Sequence, residues 1–297
     1  MPHTLKGTAQ VPIMQKAVTP AQSAAILDRG LDRIAGYAVQ RADAEYATSP
    51  AQLYRLHALG YAGSPFSPDE AIDVLIFPTA PGMRLEDAVG GTERSELAKT
   101  GGAFLDRPPF LGTGFAPVDT AVPLWWLAPT RVSAGTVLVR FPASGEPVVL
   151  ARYDDVGTGW RIPGAEGRRP STPSVHVGTL ASYDGGYRAC DLHEGMVVMF
   201  DPESRARIEV TRAEVGDVFE LAVLGSWNGL DVRVVDRWSE DGEQLARCAY
   251  LGHDADIAEG LGLDKLEAGV YEVTVPEAQL DGLRNVMRQV VDAETAS

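Results

Sequence analysis

Ser182-Tyr183-Asp184-Gly185 and Ser226-Trp227-Asn228-Gly229 are two versions of one turn, and the reading of residues 182–286 grows from their pairing. Asp-Gly or Asn-Gly between alternating residues is a strong hairpin signal, because a type I′ turn needs positive φ at both central positions. The echo continues behind each turn. Tyr187-Arg188-Ala189-Cys190-Asp191 returns, one residue out of phase, as Val232-Arg233-Val234-Val235-Asp236. Glu209-Val210-Thr211-Arg212-Ala213-Glu214 returns as Glu272-Val273-Thr274-Val275-Pro276-Glu277, identical at four of six positions. A duplicated unit is therefore read first. Each copy is expected to be a small, bent antiparallel sheet of SH3-like size, closed by a helical turn that starts at a Thr-x-x-Glu capping box. An insert from His253 to about Gly269 lengthens the second copy and carries a short helix capped by Asp254. A last helix is expected from Pro276 to about Val291, burying Leu280, Leu283, Met287 and Val290.

Upstream of the repeat, Gly135–Phe141 and Pro147–Tyr153 flank a turn containing Gly145 and read as a hairpin. Residues 163–174 read as a linker. Residues 78–129 are punctuated by Gly90-Gly91, Gly101-Gly102, Pro108-Pro109 and Gly112-Thr113-Gly114, which predicts loops, with a short helix over 93–99. Trp125 and Trp126 end this stretch and should point to opposite sides of an extended chain. Nearer the start, Thr19-Pro20-Ala21-Gln22, Ser49-Pro50-Ala51-Gln52 and Ser67-Pro68-Asp69-Glu70 share one helix-start signature. The first helix is expected to reach about Ala47, despite Gly30 and Gly36, and the third to end at Pro78. The expected fold is thus α+β: a helical and loop-rich region 1–130, a hairpin and linker 131–175, and β repeats 176–225 and 226–297.

The chain has 41 acidic and 26 basic residues, a formal charge of −15. Residues 1–175 contribute 17 acids and 16 bases, residues 176–297 contribute 24 and 10. The repeat half therefore carries the excess, which disfavours nucleic acid and anionic membranes and favours basic protein partners. Cys190 and Cys248 follow no metal or redox spacing, and the first thirty residues hold no apolar leader core. A reducing, cytoplasmic setting without a membrane span is the expectation.

Chemistry-bearing patterns are few. Gly225-Ser226-Trp227-Asn228-Gly229 imitates a nucleophile elbow, but its serine stands one place early and a hairpin explains both glycines. His253-Asp254-x-Asp256 offers oxygen and nitrogen ligands, yet helix capping accounts for Asp254, and no metal is assigned. Arg131 (or Arg140), Ser171-Thr172-x-Ser174 and Glu272 follow the order of the scattered Arg, Ser-Thr-Ser and Glu of ADP-ribosyltransferases and NAD glycohydrolases. NAD would be the substrate in that reading. Glu209 stands in the matching place of the first copy, which argues for a structural Glu272.

The hairpins, together with Ala249-Tyr250-Leu251-Gly252-His253-Asp254, Leu261-Gly262-Leu263 and Gly269-Val270-Tyr271-Glu272-Val273-Thr274-Val275-Pro276, resemble uncharacterised actinobacterial proteins. Some of these look like immunity proteins that accompany secreted polymorphic toxins, including toxins of NAD-glycohydrolase type. The resemblance covers residues 176–286. It implies a cytoplasmic, acidic, non-enzymatic protein that occludes a toxin's active cleft. On that reading the partner-binding residues are Asp184, Trp227, Trp238, Asp254 and Asp256, and no cofactor is needed. An NAD-consuming enzyme using Arg131, Ser171 and Glu272 and a scaffold or adaptor are the alternatives.

Overall fold

The computed structural model describes residues 11–61, 63–88, 122–165, 172–252 and 254–290. Half of the described residues are strand and 14% are helical, and the strands form two antiparallel sheets. This overturns the α+β expectation: the described N-terminal residues form a sheet, not a helical region.

The first sheet contains β1 (Ile13–Val18), β2 (Arg33–Gln40), β3 (Ile72–Pro78), β4 (Leu85–Ala88), β5 (Leu124–Arg131), β6 (Val137–Phe141), β7 (Val148–Tyr153) and β8 (Trp160–Arg161). Their order is β4-β5-β2-β1-β3-β6-β7-β8, so β1 lies inside the sheet between β2 and β3. The helices are short: α1 (Pro20–Arg29), α2 (Arg41–Ala44) and α3 (Pro50–Leu56). Thr19 and Ser49 form the expected capping boxes with Gln22 and Gln52. Helix α1 does not reach Ala47, because Gly30 takes a left-handed conformation and stops it. Beyond it Arg33–Gln40 pairs on both edges as β2. Ser67 opens only a turn, its hydroxyl accepting from the Asp69 amide at 3.3 Å. The apolar run Ile72–Phe77 that follows is a strand buried on both faces, a pattern that periodicity does not separate from a helix.

The β6–β7 hairpin forms where expected, with Val139 opposite Val149. Trp126 joins the core shared with the second sheet, while Trp125 packs against the core on the other face of the first. The expected helix at 93–99 and residues 166–171 of the expected linker lie outside the described residues.

The second sheet contains β9 (Thr179–Tyr183), β10 (Gly186–His193), β11 (Met196–Asp201), β12 (Ala206–Thr211), β13 (Val218–Trp227), β14 (Leu230–Glu240), β15 (Glu243–Tyr250), β16 (Asp264–Glu267), β17 (Val270–Pro276) and β18 (Asp281–Gln289). Asp184-Gly185 and Asn228-Gly229 both adopt positive φ in two-residue turns, with Tyr183 opposite Gly186 and Trp227 opposite Leu230. After β12 a 3₁₀ turn (Arg212–Glu214) leads into β13, which returns to pair with β9. After β17 a second 3₁₀ turn (Glu277–Gln279) leads into β18, which returns to pair with β13. The sequence repeat is thus a repeat of strand order, and β13 closes the first copy while opening the second. It runs across the 225/226 line drawn from the sequence.

Thr211 forms its capping box with Glu214, but no such box forms at Thr274, since Pro276 takes the cap position without a side-chain hydrogen bond. The expected C-terminal helix is instead β18. Of its four supposed core residues, Leu280 and Val290 are buried, whereas Leu283 and Met287 are exposed. Asp281-Gly282 is a turn signal that works against a helix, and pairing along β13 satisfies the backbone. The insert does hold a helix, α4 (Ala255–Gly260), capped by Asp254.

One core joins the sheets: Tyr37, Val39 and Trp126 pack with Val223, Val232, Val234, Cys248 and Tyr271. The far face of the first sheet buries Met14, Phe77, Leu138 and Tyr153 against Ile26 of α1. Each fully buried large side chain such as Phe77 contributes about 1.5–3 kcal/mol. Both cysteines are buried, and neither is in a disulfide.

Candidate functional site

Charged residues that the sequence offered as chemistry are largely used to join the sheets. Arg131, at the end of β5, is 3% exposed. Its Nη2 donates to the carbonyls of Ser174 at 2.9 Å and Val177 at 2.8 Å, and its Nε stands 3.7 Å from Asp32. It therefore pins the segment that enters the second sheet. Glu272 in β17 is also buried, and both its oxygens accept from Arg33 Nη2, at 3.0 and 2.8 Å, with Arg247 3.9 Å away. Burial raises the Glu272 carboxyl above its ordinary range, and the two arginines oppose that shift. Its sequence counterpart Glu209 is exposed and pairs with Arg207 at 2.5 Å. The same motif thus serves two environments. Arg140 forks onto Asp73 at 2.8 Å through both contacts, and Ser23 donates to the same carboxylate at 2.5 Å. Ser171 lies outside the described residues. Arg131 and Glu272 are each closed into a separate buried ion pair.

The deepest such pair is Lys16 with Glu267. Lys16, 1% exposed in the central strand, places Nζ 2.6 and 2.5 Å from the two carboxylate oxygens. Beside it His57 is held neutral, its pKa lowered to about 3 by burial and by the Lys16 charge. A neutral ring can accept at Nε2, which fits the 3.0 Å contact from Gln15 Nε2. Arg41 in turn donates to the Gln15 carbonyl oxygen.

Asp191 of β10 is pushed up to about 6, first by burial, with Arg131 and the Val156 amide pulling the other way. That amide donates to Asp191 at 2.6 Å. The folded state therefore holds a proton between about pH 4 and 6 that the unfolded chain has released. This contribution is complete below pH 3.8 and is lost as pH rises through about 6. In urea unfolding at stepped pH, Asp191→Asn should flatten that part of the profile and raise stability at pH 7.

The partner-binding candidates are scattered. Asp184 is exposed in its turn. Asp254 caps α4 by accepting from the Ile257 amide at 3.2 Å, and Asp256 is exposed in the first turn of that helix. His253 lies outside the described residues. Trp227 is half-buried, its indole N–H 3.5 Å from Gln279 Oε1. These last residues lie toward the start of β14, since the Leu251 amide bonds the Asp231 carbonyl there. Trp238 lies near the other end, roughly 25 Å along the strand at about 3.3 Å per residue.

At that far end is a feature the sequence reading missed. Asp241-Gly242 is a third two-residue turn with positive φ at both positions. It joins β14 to β15 and sets Glu240 directly opposite Glu243. Glu240, Asp241 and Glu243 are all exposed. Trp238 donates to Glu240 at 3.3 Å, and Arg247 lies 5.8 Å from the centre of its ring. The Asp-Gly signal was legible, but it lies between the motifs whose echo defines the repeat, and no matching Asp-Gly in the first copy flags it.

Among the described residues no cluster of His, Cys, Asp and Glu could hold a metal, and no helix is long and apolar enough to cross a membrane. No family model, curated protein or solved structure matches the chain.

Proposed function

We propose that this chain is a non-enzymatic binding protein that receives a basic protein partner on the β14–β15 tip, with Trp238 as the anchor. One observation carries the reading: Glu240 and Glu243 oppose each other across the strands with Asp241 between them. None of the ion pairs of the described residues includes Asp241 or Glu243. Like charges directly opposite each other cost roughly 0.2–1 kcal/mol. A basic surface docked there relieves that cost, and a nearby aromatic supplies desolvated contact area. The resemblance of residues 176–286 to immunity proteins makes a basic toxin domain the partner class, blocked by occlusion. Arg131 and Glu272 support this reading over NAD chemistry, because both are committed to ion pairs that hold the fold, with Asp32 and Arg33.

The test uses the full chain as bait in an extract of its native cell, compared with Glu240→Gln/Asp241→Asn/Glu243→Gln and with Trp238→Ala. Capture of a basic protein should be lost in both variants and should fall steeply by about 0.5 M salt. The triple variant should also unfold at slightly higher urea, by up to about 1 kcal/mol. Capture unchanged by the variants and by salt would overturn the proposal in favour of an adaptor held by apolar contact.

A further inference from the structure

A second site stands where the sheets meet. A cavity of about 110 Å³ lies between β2 and β5 on one side and β13, β14, β17 and β18 on the other. In a chain with fifteen excess negative charges, every charged side chain lining it among the described residues is an arginine: Arg84, Arg233 and Arg288. Trp126, Tyr250 and Tyr271 add aromatic surface. The Tyr271 hydroxyl is spent on Glu259 at 2.8 Å, so its ring is what it offers.

The arginines are incompletely matched. Arg233 is 4% exposed and shares one carboxylate, Glu220, with Arg288, at 3.0 and 3.4 Å. Glu220 does not line the cavity. Arg233 Nη2 also donates to the His176 carbonyl at 3.2 Å, but its buried Nε has no hydrogen-bond partner among the described residues. Arg84 is paired with the partly exposed Glu86 at 2.8 Å. Burial, with Arg84 and Arg288 as like charges nearby, lowers the pKa of Arg233. A buried guanidinium with an unused donor, facing two more guanidiniums, is a costly arrangement that an anion relieves.

We infer that this cleft binds a small organic carboxylate, of about acetate to propionate size. The planar guanidinium fork matches a carboxylate, and the aromatic walls suit a short apolar tail. A cavity of about 150 Å³ holds benzene, so one of about 110 Å³ takes a smaller body. The site is independent of the β14–β15 tip and of any protein partner there.

Titration calorimetry on the full chain tests it, with propionate, acetate, 1-propanol and inorganic phosphate as probes. Saturable binding of propionate or acetate is expected, with none for 1-propanol. Arg288→Gln and Arg84→Gln each replace a partly exposed side chain, and circular dichroism checks that both fold. Each should weaken carboxylate binding about tenfold or more, through loss of a charge-assisted hydrogen bond. The inference fails if neither carboxylate binds below about 10 mM, or if 1-propanol binds as well as propionate. It also fails if phosphate alone binds, or if both arginine variants keep full affinity.

Discussion

Lys16→Ala should cost about 3–5 kcal/mol in urea unfolding, since removing one partner of a buried ion pair leaves the other charge stranded. The geometry makes this an unusually closed pair: Lys16 is 1% exposed, Glu267 8%, and the partners are 251 residues apart in sequence. The pair joins the central strand of the first sheet to β16 of the second. Burial already raises the Glu267 carboxyl, and Lys16 is what opposes that shift. Without the ammonium, Glu267 takes up a proton more readily, so the penalty should shrink as pH falls. The paired replacement Lys16→Met/Glu267→Leu should recover most of the loss, because an apolar pair of similar volume removes both desolvation costs. A single Lys16→Ala loss under about 1 kcal/mol would show that water reaches the pair.

Gly36→Ala is expected to be comparably damaging, by about 3–5 kcal/mol, from positive-φ strain and overpacking together. Gly36 has φ +96° at an irregularity in the β2–β5 pairing. A Cβ there would overlap Glu267 Oε1 and stand 2.8 Å from Val270 Cγ2. Backbone and neighbour both forbid it. Since the substitution strikes the carboxylate that Lys16 holds, Gly36→Ala and Lys16→Ala should be less than additive in a double-mutant cycle. Full additivity in that cycle would separate the two effects.

What could be read from the chain alone followed the range of the interactions involved. Turns and caps are local, and they were legible: Asp184-Gly185, Asn228-Gly229, the Thr19 and Ser49 boxes and the Asp254 cap all form. The failures came where a long-range partner decides the outcome. Asp281–Gln289 has helix-like apolar spacing, yet β13 recruits it as a strand. Reading Arg33–Gln40 as helix treats Gly36 as a defect, whereas Gly36 makes room for Glu267 from the other sheet. The site divides in the same way. The acidity of the second half was plain from composition, but the opposition of Glu240 and Glu243 depends on a register the repeat did not flag. The three cleft arginines stand at 84, 233 and 288, and no spacing rule gathers residues that distant.

Because Val218–Trp227 serves as the last strand of one copy and the first of the other, the duplication is not a string of beads. Excising either copy, or trading one between two molecules, would leave its neighbour with an open flank. Such a chain is free to vary its loops and its hairpin tips, but neither copy can be lost without stripping a strand partner from the other.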